Sequence, residues 1–253
     1  MIRRVLSALV VGAVIVGLAC VDMSAPPGPA SISNLRLPSP SVVVGDTMRD
    51  SLGQVAPLAI IAFNSANDTI AAAGAQFFIT DTVKAAHLAA GTKLVGDKIG
   101  STVVLGQIGK LQTATINVPV TFKPDHMVKT SKDTTLLAIG GDSTKNGTST
   151  LSLRVLSAED SGSVGIVVSY TVVYAPASVP NRAAVVVQDN SGHIATADTT
   201  TPGGNSSRRL VVTPFFFAGQ IDSAVVEARA SYKGVPLTNS PITFIIPIKV
   251  VFQ

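Results

Sequence analysis

The chain has 253 residues, of which 46% are hydrophobic, 13% are charged and one is a cysteine. A charged fraction so far below the typical ~25% leaves ample apolar surface for a core, which excludes a disordered chain. The formal net charge of +4 comes without any run of Lys and Arg, so nothing indicates a nucleic-acid partner. Because β-branched residues are frequent and glutamate occurs only at Glu159 and Glu227, we expect an all-β fold.

The first twenty residues have the layout of a secretory signal. An Arg3-Arg4 pair is followed by an apolar run over residues 5–16, and Leu18-Ala19 leads directly to Cys20. This order resembles the bacterial lipoprotein signal, in which the cysteine becomes the first mature residue and carries acyl chains. The resemblance implies that residues 1–19 are a removable signal peptide and that Cys20 bears a covalent lipid.

Residues 20–31 are then the lipidated cysteine and a flexible tether, because their prolines fix φ and remove N–H donors. An uncleaved membrane anchor or an ordinary cleaved signal is the alternative, although the apolar run is shorter than the ~20 residues of a membrane span. We expect an exported protein of the cell envelope, anchored to a membrane through its lipid. The outer membrane or the cell surface is the expected location, in preference to the inner membrane.

Residues 32–123 alternate short apolar runs with turn residues at the spacing of a β-sandwich. Residues 83–90 are also compatible with a helix. The strand candidates are residues 35–37, 42–44, 57–63, 76–79, 101–105 and 114–122.

Several short motifs in this half resemble the bacterial immunoglobulin-like (Big) domains of group 2. The tryptophan usual in the central strand of that family is absent, and Phe63 lies near its place. The resemblance implies an immunoglobulin-like β-sandwich. It rests on VGDT at residues 44–47, DSLG at 50–53, NSANDTIA at 64–71, GSTVV at 100–104 and VPVTF at 118–122.

Residues 133–253 show cleaner alternation, which predicts strands with one buried and one solvated face. Apolar side chains recur at every second position of residues 151–155, 166–174 and 224–232. In the second of these runs the expected buried face extends from Ile166 to Tyr174. The sequence DNSG at residues 189–192 predicts a hairpin turn.

This second half resembles the invasin-type Big domains of group 1. The resemblance rests on residues 151–155, the DNSG turn, ADTT at residues 197–200, DSAVVEARA at 222–230 and YKG at 232–234. We therefore predict two immunoglobulin-like β-sandwich domains in tandem, residues 32–123 and 133–253. Pro124 and the polar residues after it predict a linker over residues 124–132 with few contacts across it.

The sequence offers little catalytic chemistry, and we expect no enzyme. The three histidines, His87, His126 and His193, lack zinc spacing. SGSVG at residues 161–165 lacks the first glycine of a nucleophile elbow and falls in a turn between strands. The expected cofactor is therefore none beyond the lipid on Cys20.

Calcium is the metal most worth considering, because it prefers loop oxygens. Its candidate ligands are Asp142, Asn146, Asp189 and Asp198. Asp and Asn are also common turn residues, so we expect no functional calcium site. Three phenylalanines in a row, Phe215, Phe216 and Phe217, fill the core or form a contact patch for a partner.

These observations predict an envelope lipoprotein whose immunoglobulin-like domains bind or adhere to a protein or a glycan, without contact to nucleic acid. Two alternatives stay open. The chain could be a passive structural spacer of the envelope, or a non-catalytic accessory domain for a hydrolase encoded separately.

Overall fold

A computed structural model describes residues 28–140, 146–175, 184–213 and 223–252. Within these ranges the chain forms twenty-one β-strands and no helix. The fold is therefore all-β, as the composition predicts. No helix of membrane-spanning length occurs in the ranges described. Cys20, Asp142 and Phe215–217 lie outside them.

The first ten strands build the N-terminal sandwich. They are β1 (Ser31–Arg36), β2 (Val42–Val43), β3 (Ala59–Phe63), β4 (Thr69–Ile70), β5 (Gln76–Ile79), β6 (Ala86–Ala89), β7 (Lys93–Gly96), β8 (Gly100–Ile108), β9 (Leu111–Gln112) and β10 (Ile116–Thr121). One sheet has the order β1-β3-β4 and the other the order β2-β10-β8-β5, with β9 paired to β8. All six strand candidates of this half are confirmed, whereas the helix-compatible residues 83–90 contain strand β6.

The remaining strands build the C-terminal sandwich. They are β11 (His126–Lys129), β12 (Leu136–Gly140), β13 (Gly147–Leu156), β14 (Val167–Tyr174), β15 (Val185–Gln188), β16 (Ala197–Thr199), β17 (Asn205–Val212), β18 (Ser223–Arg229), β19 (Ser231–Tyr232), β20 (Val235–Pro236) and β21 (Ile242–Phe252). Its sheets have the orders β11-β13-β17-β15 and β12-β21-β18-β14-β16.

The C-terminal sandwich has immunoglobulin-like topology. Its first sheet corresponds to strands A-B-E-D of that fold, and β21-β18-β14 in the second corresponds to G-F-C. The N-terminal sandwich repeats the second arrangement with β10-β8-β5. In both sandwiches a short early strand pairs in parallel with the last strand, β2 with β10 and β12 with β21.

Each sandwich has its own hydrophobic core. The N-terminal core is formed by buried residues between Leu35 and Val120, and the C-terminal core by buried residues between Met127 and Ile248. The alternation of apolar and polar residues in the sequence determines which side chains lie in the core. Leu151, Leu153 and Val155 on β13 are each at most 1% exposed, as predicted.

The predicted linker is wrong in extent. Residues 126–129 of the expected linker form β11, which pairs antiparallel with β13, and Met127 lies in the C-terminal core. Asp125 already donates its backbone N–H to Leu156 O at 2.8 Å. The polar residues around Met127 hid a strand that has one face on the core and the other in solvent.

The predicted buried face of residues 166–174 holds for most of its length. Ile166, Val168 and Tyr170 are buried, but Tyr174 is 47% exposed. The register of β14 against β18 shifts between Val172 and Tyr174, which is a β-bulge. One extra residue reverses the side of the strand on which later side chains lie.

Candidate functional site

A cleft of about 530 Å³ lies where the two sandwiches meet. Its N-terminal wall consists of the residues on either side of β2, from Pro38 to Gly53. Its C-terminal wall consists of the start of β14 and the segment from Arg229 to Pro236, which contains the β19–β20 hairpin. This volume falls within the range of ~300–1,000 Å³ typical of small-molecule sites. We call it the interdomain cleft.

The floor of the cleft is organised around one carboxylate, Asp46. Arg49 donates from Nε to Oδ2 at 2.9 Å and from Nη2 to Oδ1 at 3.0 Å. Lys233 Nζ lies 3.1 Å from Oδ2, and the Tyr232 hydroxyl donates to the same oxygen. The backbone N–H of Thr47 donates to Oδ1 at 2.9 Å. We call Asp46, Arg49, Tyr232 and Lys233 the Asp46 hub, and it joins the two sandwiches.

Two tight turns bring these side chains together. On the N-terminal side, β2 ends at Val43, and Gly45 has a φ of 73° that turns the chain directly before Asp46. On the C-terminal side, Lys233 and Gly234 have φ values of 54° and 76°, the left-handed pair required by a two-residue hairpin. The hairpin places Tyr232 and Lys233 next to each other at its tip. Lys233 Nζ also lies 5.4 Å from the centroid of the Tyr232 ring.

The charged groups of the hub determine the protonation states of Asp46 and Tyr232. Desolvation would raise the pKa of Asp46, but the hydrogen bonds from Arg49, Tyr232 and Lys233 outweigh it and hold that pKa well below its usual range. Burial and then the neighbouring Asp46 carboxylate raise the pKa of the Tyr232 hydroxyl. At neutral pH Asp46 is therefore ionised and Tyr232 remains a hydrogen-bond donor.

Close backbone contacts surround the hub. A Cβ on Gly53 would lie 2.6 Å from the backbone nitrogen of Gly234, and a Cβ on Gly165 would lie 2.4 Å from Cβ of Ser41. Val164 N donates to Thr121 Oγ1 at 2.6 Å. We call these contacts, together with the hub, the joint. The sequence-based expectation of few contacts between the halves missed them.

The SGSVG motif is part of this joint. Residues 161–165 lie between β13 and β14, as predicted, and Gly165 approaches Ser41 of the other sandwich. Thr200 Oγ1 donates to the carbonyl of Ser163 at 2.7 Å, which holds the turn from the C-terminal side. The motif therefore contributes to interdomain packing.

The candidate calcium ligands that the structure describes have other partners or are exposed. Asp198 accepts hydrogen bonds from Ser206 Oγ at 2.9 Å and Ser207 N at 2.8 Å, and its Oδ1 lies 2.9 Å from Arg208 Nη1. Asp189 Oδ1 caps its own predicted turn by accepting from Ser191 N and His193 N. Asn146 is exposed. In the ranges described, no group of three or more His, Cys, Asp and Glu side chains is placed to hold a metal ion.

Asp198 instead completes a hydrogen-bond chain to a buried hydroxyl of the C-terminal core. The hydroxyl of Tyr170, which is fully buried, lies 2.9 Å from Ser206 Oγ, and Ser206 in turn donates to Asp198. Burial raises the pKa of Tyr170 to about 12. A buried hydroxyl needs such a partner, because an unpaired one costs about 1–3 kcal/mol.

Sequence reasoning did not find the Asp46 hub. In the sequence, the VGDT and YKG motifs that contain Asp46, Tyr232 and Lys233 indicate only the resemblance to Big domains. No local pattern relates residues 186 positions apart, such as Asp46 and Tyr232. A signal was nevertheless present, because an acidic residue and a Tyr-Lys pair each occupy a turn where side chains can reach outward.

Comparison with known proteins gives only coarse similarities. No family model matches the chain, and no curated protein matches it. Domains 4 and 5 of the S-layer protein SbsC are 15% identical, with 88% of this chain and 100% of that chain covered at a TM-score of 0.33. The Yersinia pseudotuberculosis adhesin InvE is 14% identical, with 86% and 59% covered at a TM-score of 0.37. The Escherichia coli adhesin FdeC is 15% identical, with 88% and 65% covered at a TM-score of 0.31.

Proposed function

We propose that this chain is an exported envelope lipoprotein, anchored through Cys20, whose immunoglobulin-like sandwiches bind a protein or glycan ligand and catalyse no reaction. The observation that carries the binding role is the interdomain cleft. Its walls come from both sandwiches, and the contacts of the joint connect them. Such a preformed concave site is where binding is expected on a scaffold of rigid sheets.

The anchoring part of the proposal is supported by the N-terminal sequence. The Arg3-Arg4 pair, the apolar run and Leu18-Ala19-Cys20 occur in the order of a lipoprotein signal. Several acyl chains on one cysteine give stable membrane attachment, whereas a single chain binds only marginally. The proline-containing segment between Cys20 and β1 would then separate the N-terminal sandwich from the membrane surface.

Replacement of the cysteine tests the anchor. We expect Cys20→Ser to move the protein from the membrane fraction to the soluble or secreted fraction, and Ser24→Ala to leave it in the membrane. The mass of the wild-type N-terminal peptide should equal that of a peptide that begins with acylated Cys20. The anchor is contradicted if the Cys20→Ser protein stays in the membrane fraction in the same mature form as wild type.

A passive spacer is the second candidate, and the joint itself favours it. A locked contact between two sandwiches would hold a tandem at a fixed length without any ligand. The two functions differ in one measurement, which is binding of the purified chain to panels of envelope proteins and cell-surface glycans. Saturable binding supports the first function, and its absence across both panels supports the spacer.

A further inference from the structure

Three of the four carboxylate oxygens that line the interdomain cleft accept hydrogen bonds from described residues, whereas two of its cations keep unused donors. Its charged lining consists of the cations Arg49, Arg229 and Lys233 and the carboxylates Asp46 and Asp50. Both oxygens of Asp46 are occupied by the hub and by Thr47 N. Asp50 Oδ1 accepts from the backbone N–H groups of Leu52 and Gln54, both at 2.9 Å.

The spare donors belong mainly to two cations. Among the residues that the structure describes, Arg229 makes one side-chain contact, from Nη2 to Glu227 Oε2 at 2.5 Å, and its side chain is 59% exposed. A guanidinium carries five N–H donors, so most of those on Arg229 remain available. Lys233 uses one ammonium proton on Asp46 and is 46% exposed. Arg49, by contrast, is occupied by Asp46 and by the carbonyl of Gly53 at 2.9 Å.

The rest of the lining combines hydroxyl groups with apolar side chains such as Val42, Met48 and Ile166. Ser169 Oγ donates to Arg229 O at 3.3 Å, and Ser240 Oγ accepts from Ala230 N at 3.2 Å. These groups suit a ligand that itself carries many hydroxyls, because each serine can both donate and accept. The lining includes six serines, namely Ser39, Ser41, Ser51, Ser169, Ser231 and Ser240.

We propose that the interdomain cleft binds a sugar carboxylate, such as a uronic or sialic acid unit, with Arg229 and Lys233 as the carboxylate contacts. Arg229 and Lys233 keep N–H donors beyond those that Glu227 and Asp46 accept, and Arg can bind a further carboxylate through two parallel hydrogen bonds. The volume exceeds that of a carboxylate alone and accommodates one or two sugar rings. This inference rests on the proposed binding function and identifies its ligand class.

The test compares two probes that differ only in the carboxylate. Saturation-transfer NMR and calorimetric titration of the full chain in detergent, at low salt, should detect methyl glucuronide and not methyl glucoside. N-acetylneuraminic acid is a second probe. Whichever of the two acids binds more tightly identifies the type of sugar. Low salt matters because exposed charge pairs are screened.

A pair of matched variants assigns the binding to the cleft. Arg229→Gln should weaken acid binding about tenfold or more, since the ligand carboxylate loses a charge-assisted hydrogen bond. Arg36→Gln removes the same charge from an exposed position on β1 and should bind like wild type. Both variants should unfold at the wild-type temperature, because neither side chain is buried.

Three results would overturn the inference. They are no binding of either acid by wild type, equal binding of the acid and the neutral glucoside, and equal loss in both arginine variants. A different result distinguishes failure of this inference from failure of the proposed function. If the chain binds an envelope glycan or protein and Arg229→Gln has no effect, binding stands and the cleft is not its site.

Discussion

Asp46 is the residue on which most of the joint depends. It is a largely buried carboxylate with five donors from two sandwiches, so removing its charge leaves Arg49 and Lys233 without their partner. A carboxylate of this kind stabilises the fold through charge-assisted hydrogen bonds that a neutral side chain reproduces poorly.

We therefore expect Asp46→Asn to lower the free energy of unfolding of the full chain by about 2–3 kcal/mol. The matched control is Asp97→Asn, which removes an exposed carboxylate paired with His87 at 2.8 Å inside one sandwich. The control should cost less than about 1 kcal/mol. Chemical denaturation measures both, and an equal effect of the two variants would contradict the role assigned to Asp46.

The same residue predicts a pH dependence. Because the folded pKa of Asp46 is held below its unfolded value, its contribution to stability is fully present above the unfolded pKa. It is lost as pH falls below about 4 towards the lower folded pKa. The stability difference between wild type and Asp46→Asn should therefore be constant from pH 7 to about 5 and shrink at lower pH. A difference that grew on acidification would contradict this assignment.

At the scale of elements, the turn between β13 and β14 shows how the joint depends on glycine. Gly165 has a φ of 75° and its Cα faces Ser41, with no room for a Cβ. Gly74 has nearly the same φ, 74°, but nothing lies within 4 Å of its Cβ position. A comparison of substitutions at these two glycines therefore separates the cost of backbone strain from the cost of a steric clash between the sandwiches.

We expect Gly74→Ala to cost about 1 kcal/mol of stability, which is the strain of a left-handed alanine. Gly165→Ala should cost at least about 2 kcal/mol more, because the joint must open to admit the methyl group. Thermal unfolding of the two variants measures the difference. Equal losses would show that the Gly165 contact does not stabilise the protein.

The strands were the most predictable elements, and their partners the least. Alternation identified the buried faces of β13 and β18 because side chains on a strand point alternately to the core and to solvent. It missed β11, where Met127 is the one core side chain beside His126, Val128 and Lys129, and the bulge before Tyr174. The parallel pairs of β2 with β10 and β12 with β21 join segments far apart in sequence, which no local pattern specifies.

The candidate site was less predictable than the fold for the same reason. Asp198 was selected as a loop oxygen, yet Ser206, Ser207 and Arg208 occupy it in the folded chain. The sequence places Arg229 in an alternating strand and in the DSAVVEARA motif, and neither pattern indicates a binding residue. The availability of Arg229 depends on which carboxylates other cations have already taken, and that follows only from three-dimensional contacts. The anchor at Cys20 stays a prediction from sequence.

At the scale of the whole molecule, the joint connects two sandwiches that have separate hydrophobic cores. Separate cores imply that each sandwich can fold alone, because about 90–130 residues suffice for this architecture. The joint implies that each is more stable when connected. Since Asp125 and β11 belong to the C-terminal sandwich, a division of the chain should fall immediately before Pro124.

The most direct test is equilibrium unfolding of residues 28–123, residues 124–253 and the two joined as residues 28–253. We expect each piece to unfold cooperatively by itself, and the less stable sandwich to gain about 2–3 kcal/mol when joined, a gain that Asp46→Asn removes. Two unfolded pieces beside a stable joined chain would show a single core. Identical midpoints for the pieces and the joined chain would show that the joint contributes nothing, and either result would contradict the account.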